Sequence, residues 1–273
     1  MKKRRAAVAS KWRQLADEFA EQIRSGKLRE GDALPQIREL TAAGAGSTTT
    51  VQAAYRALET EGLVRTVRGR GTYVRRQRRR VVRQSQARYQ WEKDRALLPE
   101  ADRIATGVTE RETGLDTPQL EFHAEYDVRD ATPEIADLFD VPAGTKMLHR
   151  HYRTSSRDET APISLIHSWM LYSVAARNPA LLDSGKEPWP GGTVHQLSTV
   201  GIEVGEITDT LSARPPTSRE RDLLDLAPGT AILVLRKASY SVDGSLAEYS
   251  EVILPGDRSE AMYRIPLERW PTS

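Results

Sequence analysis

The sequence predicts an α+β protein of two domains, a small helix-rich one ending in a hairpin and a larger one built on an antiparallel sheet. Three observations point there. A chain of 273 residues, 38% apolar and 29% charged, is long for one core and ordinary for a folded protein. Charge is divided unequally: residues 1–95 hold 23 Lys and Arg against 10 Asp and Glu, and residues 96–273 hold 17 against 28, so a part of net +13 precedes one of −11. The hydrophobic period also changes along the chain, from helical spacing to strand alternation. The expected boundaries are 1–76 for the first domain, 77–95 for a basic linker and 96–273 for the second domain.

Helical spacing begins at Trp12 and continues through Leu15, Phe19 and Ile23 until Ser25-Gly26 stops it. Gly31-Asp32 and Leu34-Pro35 punctuate a turn, and a short helix near Gln36–Ala42 runs into Gly44-Ala45-Gly46. Ser47 is a good N-cap for a helix over Thr48–Thr60 with Val51, Ala54, Tyr55 and Leu58 on its inner stripe. Two helices around a glycine turn make a helix-turn-helix. Behind it, Gly62–Val67 and Gly71–Val74 read as strands around Arg68-Gly69-Arg70, a cationic hairpin tip that completes a winged helix-turn-helix.

That arrangement implies a surface for double-stranded DNA. A recognition helix presents its N-terminal residues to base edges, which selects Ser47, Thr48, Thr49 and Gln52. Glutamine pairs bidentately with adenine, and threonine touches a thymine methyl or a phosphate. Arg38 on the preceding helix stands where a phosphate contact arises. At the tip, Gly69 lets the backbone approach while Arg68 and Arg70 reach the minor groove or its phosphates.

The runs Leu34–Leu40, Ser47–Val51, Ala57–Val64 and Gly69–Val74 together resemble the DNA-binding domain of the GntR family over about 65 residues. The resemblance implies a homodimer on a palindromic operator, with Arg38, the start of the Ser47 helix and Gly69 at the DNA. The sequence departs from the family where arginine is usual at the position of Thr48 and frequent at Gln52, and where bulkier residues stand in place of Gly44 and Gly46. A different base preference and a loosely packed turn are the expectations.

Residues 75–95 are the most basic stretch and show no amphipathic period, which suggests an interdomain tether that adds affinity for phosphates. Beyond residue 96, Leu120, Phe122, Ala124, Tyr126 and Val128 alternate as in a strand. Asp137–Thr145 then lines up with Asp222–Thr230, 85 positions later, and each copy is followed by two strands: Lys146–Thr154 and Pro162–Leu171, then Ala231–Ser239 and Leu246–Leu254. Two strand-helix-hairpin units are expected to join in one antiparallel sheet with helices on one face.

Along Lys146–Thr154, Leu148, Arg150 and Tyr152 share a face opposite Met147, His149 and His151. An arginine among apolar neighbours suggests an anionic partner, or a side-chain pairing at a sheet edge. Glu248 interrupts a strand of the second unit and suits a hydroxyl or amine donor, or again a side-chain partner. Thr193 follows Gly191-Gly192 at a helix start, either as an anion site or as a plain cap. This half resembles the UTRA effector domain of the HutC-type branch of GntR regulators, whose fold is similar to that of chorismate lyase. The resemblance implies a small-molecule effector, possible anion character included, at Arg150, Thr193, His195 and Glu248. Tyr152, His195 and Ile166 stand where a second arginine, a tyrosine and acidic groups are frequent, which argues against a phosphosugar.

The implied protein is an effector-responsive regulator, a repressor by operator occupancy. Its rivals are a chorismate-lyase-like enzyme fused to a DNA-binding domain and a DNA-coating or plasmid-maintenance protein that senses nothing. No coherent acid/base set surrounds Arg150, so no catalytic residue and no enzyme activity is expected. The five histidines show no zinc spacing, and no cofactor or metal is expected. The absence of cysteine excludes disulfides, thiolate zinc sites and cysteine nucleophiles. No apolar run reaches the roughly 18 residues of a membrane span, and Met1-Lys2-Lys3-Arg4-Arg5 does not lead into a signal core, so a cytoplasmic location is expected.

Overall fold

The computed structural model describes residues 10–76, 78–105, 107–159 and 161–267. Two compact units emerge: residues up to 78 together with 215–230, and residues 79–214 together with 231 onward.

In the first unit the stripe from Leu15 to Ile23 becomes α1 (Lys11–Arg24), followed by α2 (Ile37–Ala42) and α3 (Thr48–Thr60). The inner faces of α1 and α3 close on each other, with Phe19 meeting the Tyr55 ring edge-on at 5.9 Å, and Val51 and Leu58 fully buried. Ser47 caps α3, its hydroxyl accepting the Thr50 amide at 3.2 Å. Gln36 and Glu39 form a capping box that opens α2. The turn between α2 and α3 is tight rather than loose. A Cβ at Gly46 would stand 2.8 Å from the Thr50 methyl, and its φ of 151° is one that other residues rarely adopt. Strands β1 (Val64–Val67) and β2 (Gly71–Val74) pair antiparallel, and Ala33 bridges to Tyr73 on the outside. In the same unit Arg75 and Arg78 both bond Asp225 of the 215–230 segment.

The second unit begins with β3 (Val81–Arg83), α4 (Ser85–Ala96), α5 (Glu100–Ala105) and α6 (Val108–Thr113). Then come β4 (Leu120–Asp130), α7 (Pro133–Phe139), β5 (Lys146–Ser156), β6 (Ser164–Leu171), α8 (Tyr172–Ala175), α9 (Gly192–Ser198) and β7 (Val204–Arg214). After α10 (Ser218–Leu223), which lies in the 215–230 segment of the first unit, follow β8 (Ile232–Ser241), β9 (Leu246–Pro255) and β10 (Ser259–Ala261). Six strands form one antiparallel sheet in the order β4-β5-β6-β9-β8-β7. β10 pairs in parallel with β3.

The internal repeat is visible in the backbone. Each copy supplies a three-stranded meander, and the two meet where β6 pairs with β9. Ala124 faces Tyr152 across β4 and β5, and the residues 85 positions on, Asp209 and Lys237, face each other across β7 and β8. Thr132 caps α7 and Thr217 caps α10. Both helices end in a left-handed aspartate, Asp140 with φ 49° and Asp225 with φ 46°.

Two expectations need correcting. Helices do not gather on one face of the sheet: α7 buries Ala136 and Phe139 beside Met147 and Tyr249, whereas α9 covers Leu148 and Met170 on the Arg150 side. Nor are residues 77–95 a bare tether, since 81–83 form β3 and 85–95 most of α4. The missing amphipathic period has a physical cause: α4 buries Glu92 and Arg95, which bond to Arg88 and to the Arg103 carbonyl, where an amphipathic helix would bury apolar side chains. Among the described residues no helix is long and apolar enough to cross a membrane.

Leu58→Ala is expected to cost about 2–5 kcal/mol, because it empties a fully enclosed site between α1 and α3. Urea denaturation followed by circular dichroism reads this, and a loss below about 1 kcal/mol would contradict the packing described.

Candidate functional site

The leading edge of α3 is open. Ser47, Thr48, Thr49 and Gln52 are exposed, while Val51, Ala54, Tyr55 and Leu58 anchor the opposite side of the helix. Tyr55 fixes α3 to the approach segment, its hydroxyl donating to the Pro35 carbonyl at 2.6 Å. Burial, helped by Glu39, raises the phenol well above its ordinary pKa and keeps it a donor. Arg38 on α2 is exposed, as are Arg68, Gly69 and Arg70 at the hairpin tip, where Gly69 adopts φ 75°. None of these three arginines has a carboxylate within ion-pair distance among the described residues.

The second candidate site lies in the other unit, on the sheet face that meets α4 and α9. One polar row crosses all six strands in register: Tyr126, Arg150, Ser168, Ser250, Lys237 and Asp209. Strand alternation forces this grouping, because every second side chain from each strand emerges here. The neighbouring row, which includes Ala124, Tyr152, Ile166 and Val252, is mostly apolar.

Arg150 is fully buried within that row. Its guanidinium donates to Gln196 Oε1 at 2.7 Å and to Ser168 Oγ at 2.7 Å, and it lies 3.8 Å from Glu248. The Ser168 hydroxyl in turn donates a hydrogen bond to Glu248 Oε1 at 2.8 Å, and Lys237 Nζ approaches the other carboxylate oxygen at 3.2 Å. Burial works to raise the Glu248 pKa, but Lys237 and Arg150 outweigh it and hold the group below its ordinary value. Gln196 continues the chain, donating to Glu187 at 2.9 Å. Glu187 also accepts from the Tyr126 hydroxyl, and from that of Tyr152 at 3.2 Å.

A cavity of about 290 Å³ opens above this network, near the lower end of the roughly 300–1,000 Å³ usual for small-molecule sites. Tyr152, Thr193, Glu248 and Lys237 line it, with Arg83 and Arg95 from the cover. Of the sequence-selected effector residues, Tyr152, Thr193 and Glu248 therefore come together at one cavity. Arg150 stands behind the wall, occupied by Gln196 and Ser168. His195 faces Trp189, whose indole donates to His195 Nδ1 at 2.9 Å. Thr193 sits in the first turn of α9, a helix of only 7 residues.

Sequence reasoning missed Glu187, Gln196, Lys237, Arg83 and Arg95. A signal existed for Lys237, which is the repeat equivalent of Tyr152. Arg83 and Arg95 were hidden inside the basic stretch read as a tether. On the opposite sheet face, His149 and His151 each stack on His167, and His149 Nε2 stands 3.1 Å from His167 Nδ1. No group of His, Asp and Glu among the described residues is arranged to hold a metal ion.

A winged helix-turn-helix joined to a sheet domain enclosing a metabolite-sized cavity defines the class of ligand-responsive DNA-binding transcription regulators. Residues 11–74 match the family model of the bacterial regulatory proteins, gntR family, and residues 123–260 match that of the UTRA domain. An HTH-type transcriptional regulator of Streptomyces coelicolor is 35% identical over 266 residues, 93% of this chain and 91% of the relative. The transcriptional repressor NagR of Bacillus subtilis is 21% identical over 246 residues, 90% of each chain. The crystal structure of a GntR-family transcriptional regulator superposes with a TM-score of 0.60 at 22% identity, covering 95% of this chain and 99% of that one. The chain belongs to the GntR family, in the HutC-type branch that carries a UTRA domain.

Two outcomes are expected. Glu248→Gln leaves Arg150 and Lys237 buried without their carboxylate and should destabilise the protein by about 3–5 kcal/mol at neutral pH. Because the folded Glu248 pKa is depressed, the native carboxylate contributes stability above the unfolded value that is lost as pH falls through the folded one, so Glu248→Gln should also flatten the acid limb of a stability-against-pH curve. The histidines act at higher pH. His149 and His195 lie below the ordinary imidazole value, through burial first and then the charges of Arg129 and Arg103 respectively. The folded protein resists their protonation, so thermal stability should decline as pH drops through the ordinary imidazole range, and a flat profile there would refute the assignment.

Proposed function

We propose that the chain is a homodimeric repressor that occupies a palindromic operator and is released or modulated by a small molecule held in the sheet-domain cavity. The observation that carries this reading is the exposed edge of α3, with Thr48, Thr49 and Gln52 standing free while the opposite side of the helix is locked into the core. Arg38, Arg68 and Arg70 add cations with no carboxylate partner among the described residues, as phosphate contacts require. Gly69 at the hairpin tip leaves room for close approach to the duplex. Ser47 serves the same edge by capping the helix and aiming its first turn.

The cavity supports binding rather than catalysis. Glu248 is held between Lys237 and Arg150, which keeps it ionised and engaged rather than poised for proton transfer. Tyr152, Thr193 and Glu248 supply polar contacts, and Arg150 and His195 support them from behind. A domain boundary between residues 78 and 79 fits this division of labour better than a tether over 77–95, because α4 provides part of the cavity wall.

Footprinting tests the proposal: a discrete site with dyad symmetry is expected, and continuous coverage of the duplex would reject it. Arg38→Ala should weaken binding to every sequence and reduce the salt slope by about one unit, whereas Gln52→Ala should relax preference at a single base pair by about 1–3 kcal/mol. Equal losses on all sequences for Gln52→Ala would remove its reading role.

A further inference from the structure

The six-stranded sheet has two outer edges, and only one of them is defended. β4 carries four carboxylates, Glu121, Glu125, Asp127 and Asp130, against Arg129 alone, so two copies set edge to edge there would repel. The edge formed by β7 differs. It is the last strand of the sheet, and among the described residues no backbone hydrogen bond joins residues 205–213 to anything but β8. Glu206, Thr208, Thr210, Leu211, Ser212 and Ala213 are exposed along it. The strand contains neither lysine nor proline, the usual guards of an open edge.

The ladder to β8 is regular from Glu206 to Arg214, following a bulge between Val204 and Glu206, and Thr210 is the centre of that stretch. Antiparallel pairing with a second copy about a two-fold axis through Thr210 therefore uses the stretch from end to end. Thr210 then faces its own copy, Thr208 faces the copy's Ser212, Ile207 faces the copy's Ala213, and Glu206 faces the copy's Arg214. Hydroxyls meet hydroxyls, apolar side chains meet apolar ones, and each end joins a carboxylate to a guanidinium. The one unlike pair, Asp209 with Leu211, strands no charge, because both Asp209 oxygens accept from the Tyr89 hydroxyl at 2.7 Å. Neighbouring registers are worse. An axis at Asp209 sets two carboxylates face to face, one at Leu211 sends Glu206 and Ile207 past the end of the copy's strand, and one at Thr208 runs the pairing into the bulge.

We propose that β7 is the surface through which two copies of this chain associate, edge to edge and antiparallel about Thr210, so that two six-stranded sheets join into one. This rests on the homodimer of the regulator reading above and says where its sheet domains meet. Facing side chains of the joined strands point the same way, so both cavities open on one side of the combined sheet.

The chain has no cysteine, so a single introduced thiol reports its own surroundings. Thr210→Cys is expected to cross-link the full chain into a covalent dimer on mild oxidation, since residues directly opposite in an antiparallel pair have Cα atoms about 4.5–5.5 Å apart, within disulfide reach. Glu125→Cys, midway along β4, is expected to stay uncross-linked. Sedimentation supplies a second arm. The parent should be a dimer, and Thr210→Arg, which sets two guanidiniums opposite each other at an exposed position, should raise the dimer dissociation constant by about fivefold or more with an unchanged circular dichroism spectrum. A monomeric parent, a dimer that Thr210→Cys fails to cross-link, equal cross-linking from both thiols, or a folded Thr210→Arg variant that dimerises as tightly as the parent would each overturn the assignment. Should Thr210→Arg fail to fold, the cross-linking decides by itself. Footprinting keeps this apart from the regulator reading: a dyad-symmetric footprint from a chain that Thr210→Cys does not cross-link removes the edge and leaves the regulator, whereas the lack of any discrete footprint removes the regulator whatever the thiols report.

Discussion

Glu248 sits where the two halves of the sheet meet, with Lys237 and Arg150 on its two oxygens and Ser168 and Ser239 bonded beside them. A carboxylate 2% exposed is tolerable only because both cations are present, and each cation only because the carboxylate is. The network spans β5, β6, β9 and β8 and then, through Gln196, α9 and Glu187. It therefore fixes the cavity floor and the side chains that surround it as a single charge-balanced unit. An apolar replacement would fill the space equally well but would present no hydrogen-bonding surface to a ligand.

The duplicated scaffold explains how such a floor arises. Two copies of one meander, joined at β6 and β9, bring equivalent positions to one face with unlike side chains. Tyr152 in one copy answers to Lys237 in the other, and Ala124 to Asp209. Backbone symmetry supplies the shape, and the departures from symmetry supply the chemistry. The same copies carry the capping threonines and left-handed aspartates almost unchanged, because those positions are fixed by helix geometry rather than by a ligand.

Much of this was legible in the residues. The winged helix-turn-helix declared itself through local signals: the Ser47 cap, the glycine turn, and an inner stripe at helical spacing that ends at Thr60 in both sequence and structure. The repeat announced the sheet. What could not be read was set by distance along the chain. Arg150 looked like a ligand-facing cation because its partners, Gln196 and Glu248, lie 46 and 98 positions away. Residues 77–95 looked like a tether because α4 buries charged side chains, Glu92 and Arg95, where periodicity looks for apolar ones. Glu187 carried no pattern at all, standing in an irregular segment where periodicity says nothing.

The smallest sheet in the molecule also has a role in this scheme. β3 and β10 pair over only three residues, in parallel, so the ladder that holds Val81–Arg83 rests on few hydrogen bonds of the weaker kind. Such a clasp is among the first parts of a protein to open, and it closes five residues or fewer after the DNA-reading unit ends at residue 78. Unfastening it would release Val81–Arg83 without breaking any hydrogen bond of the six-stranded sheet, because β3 and β10 form a ladder of their own.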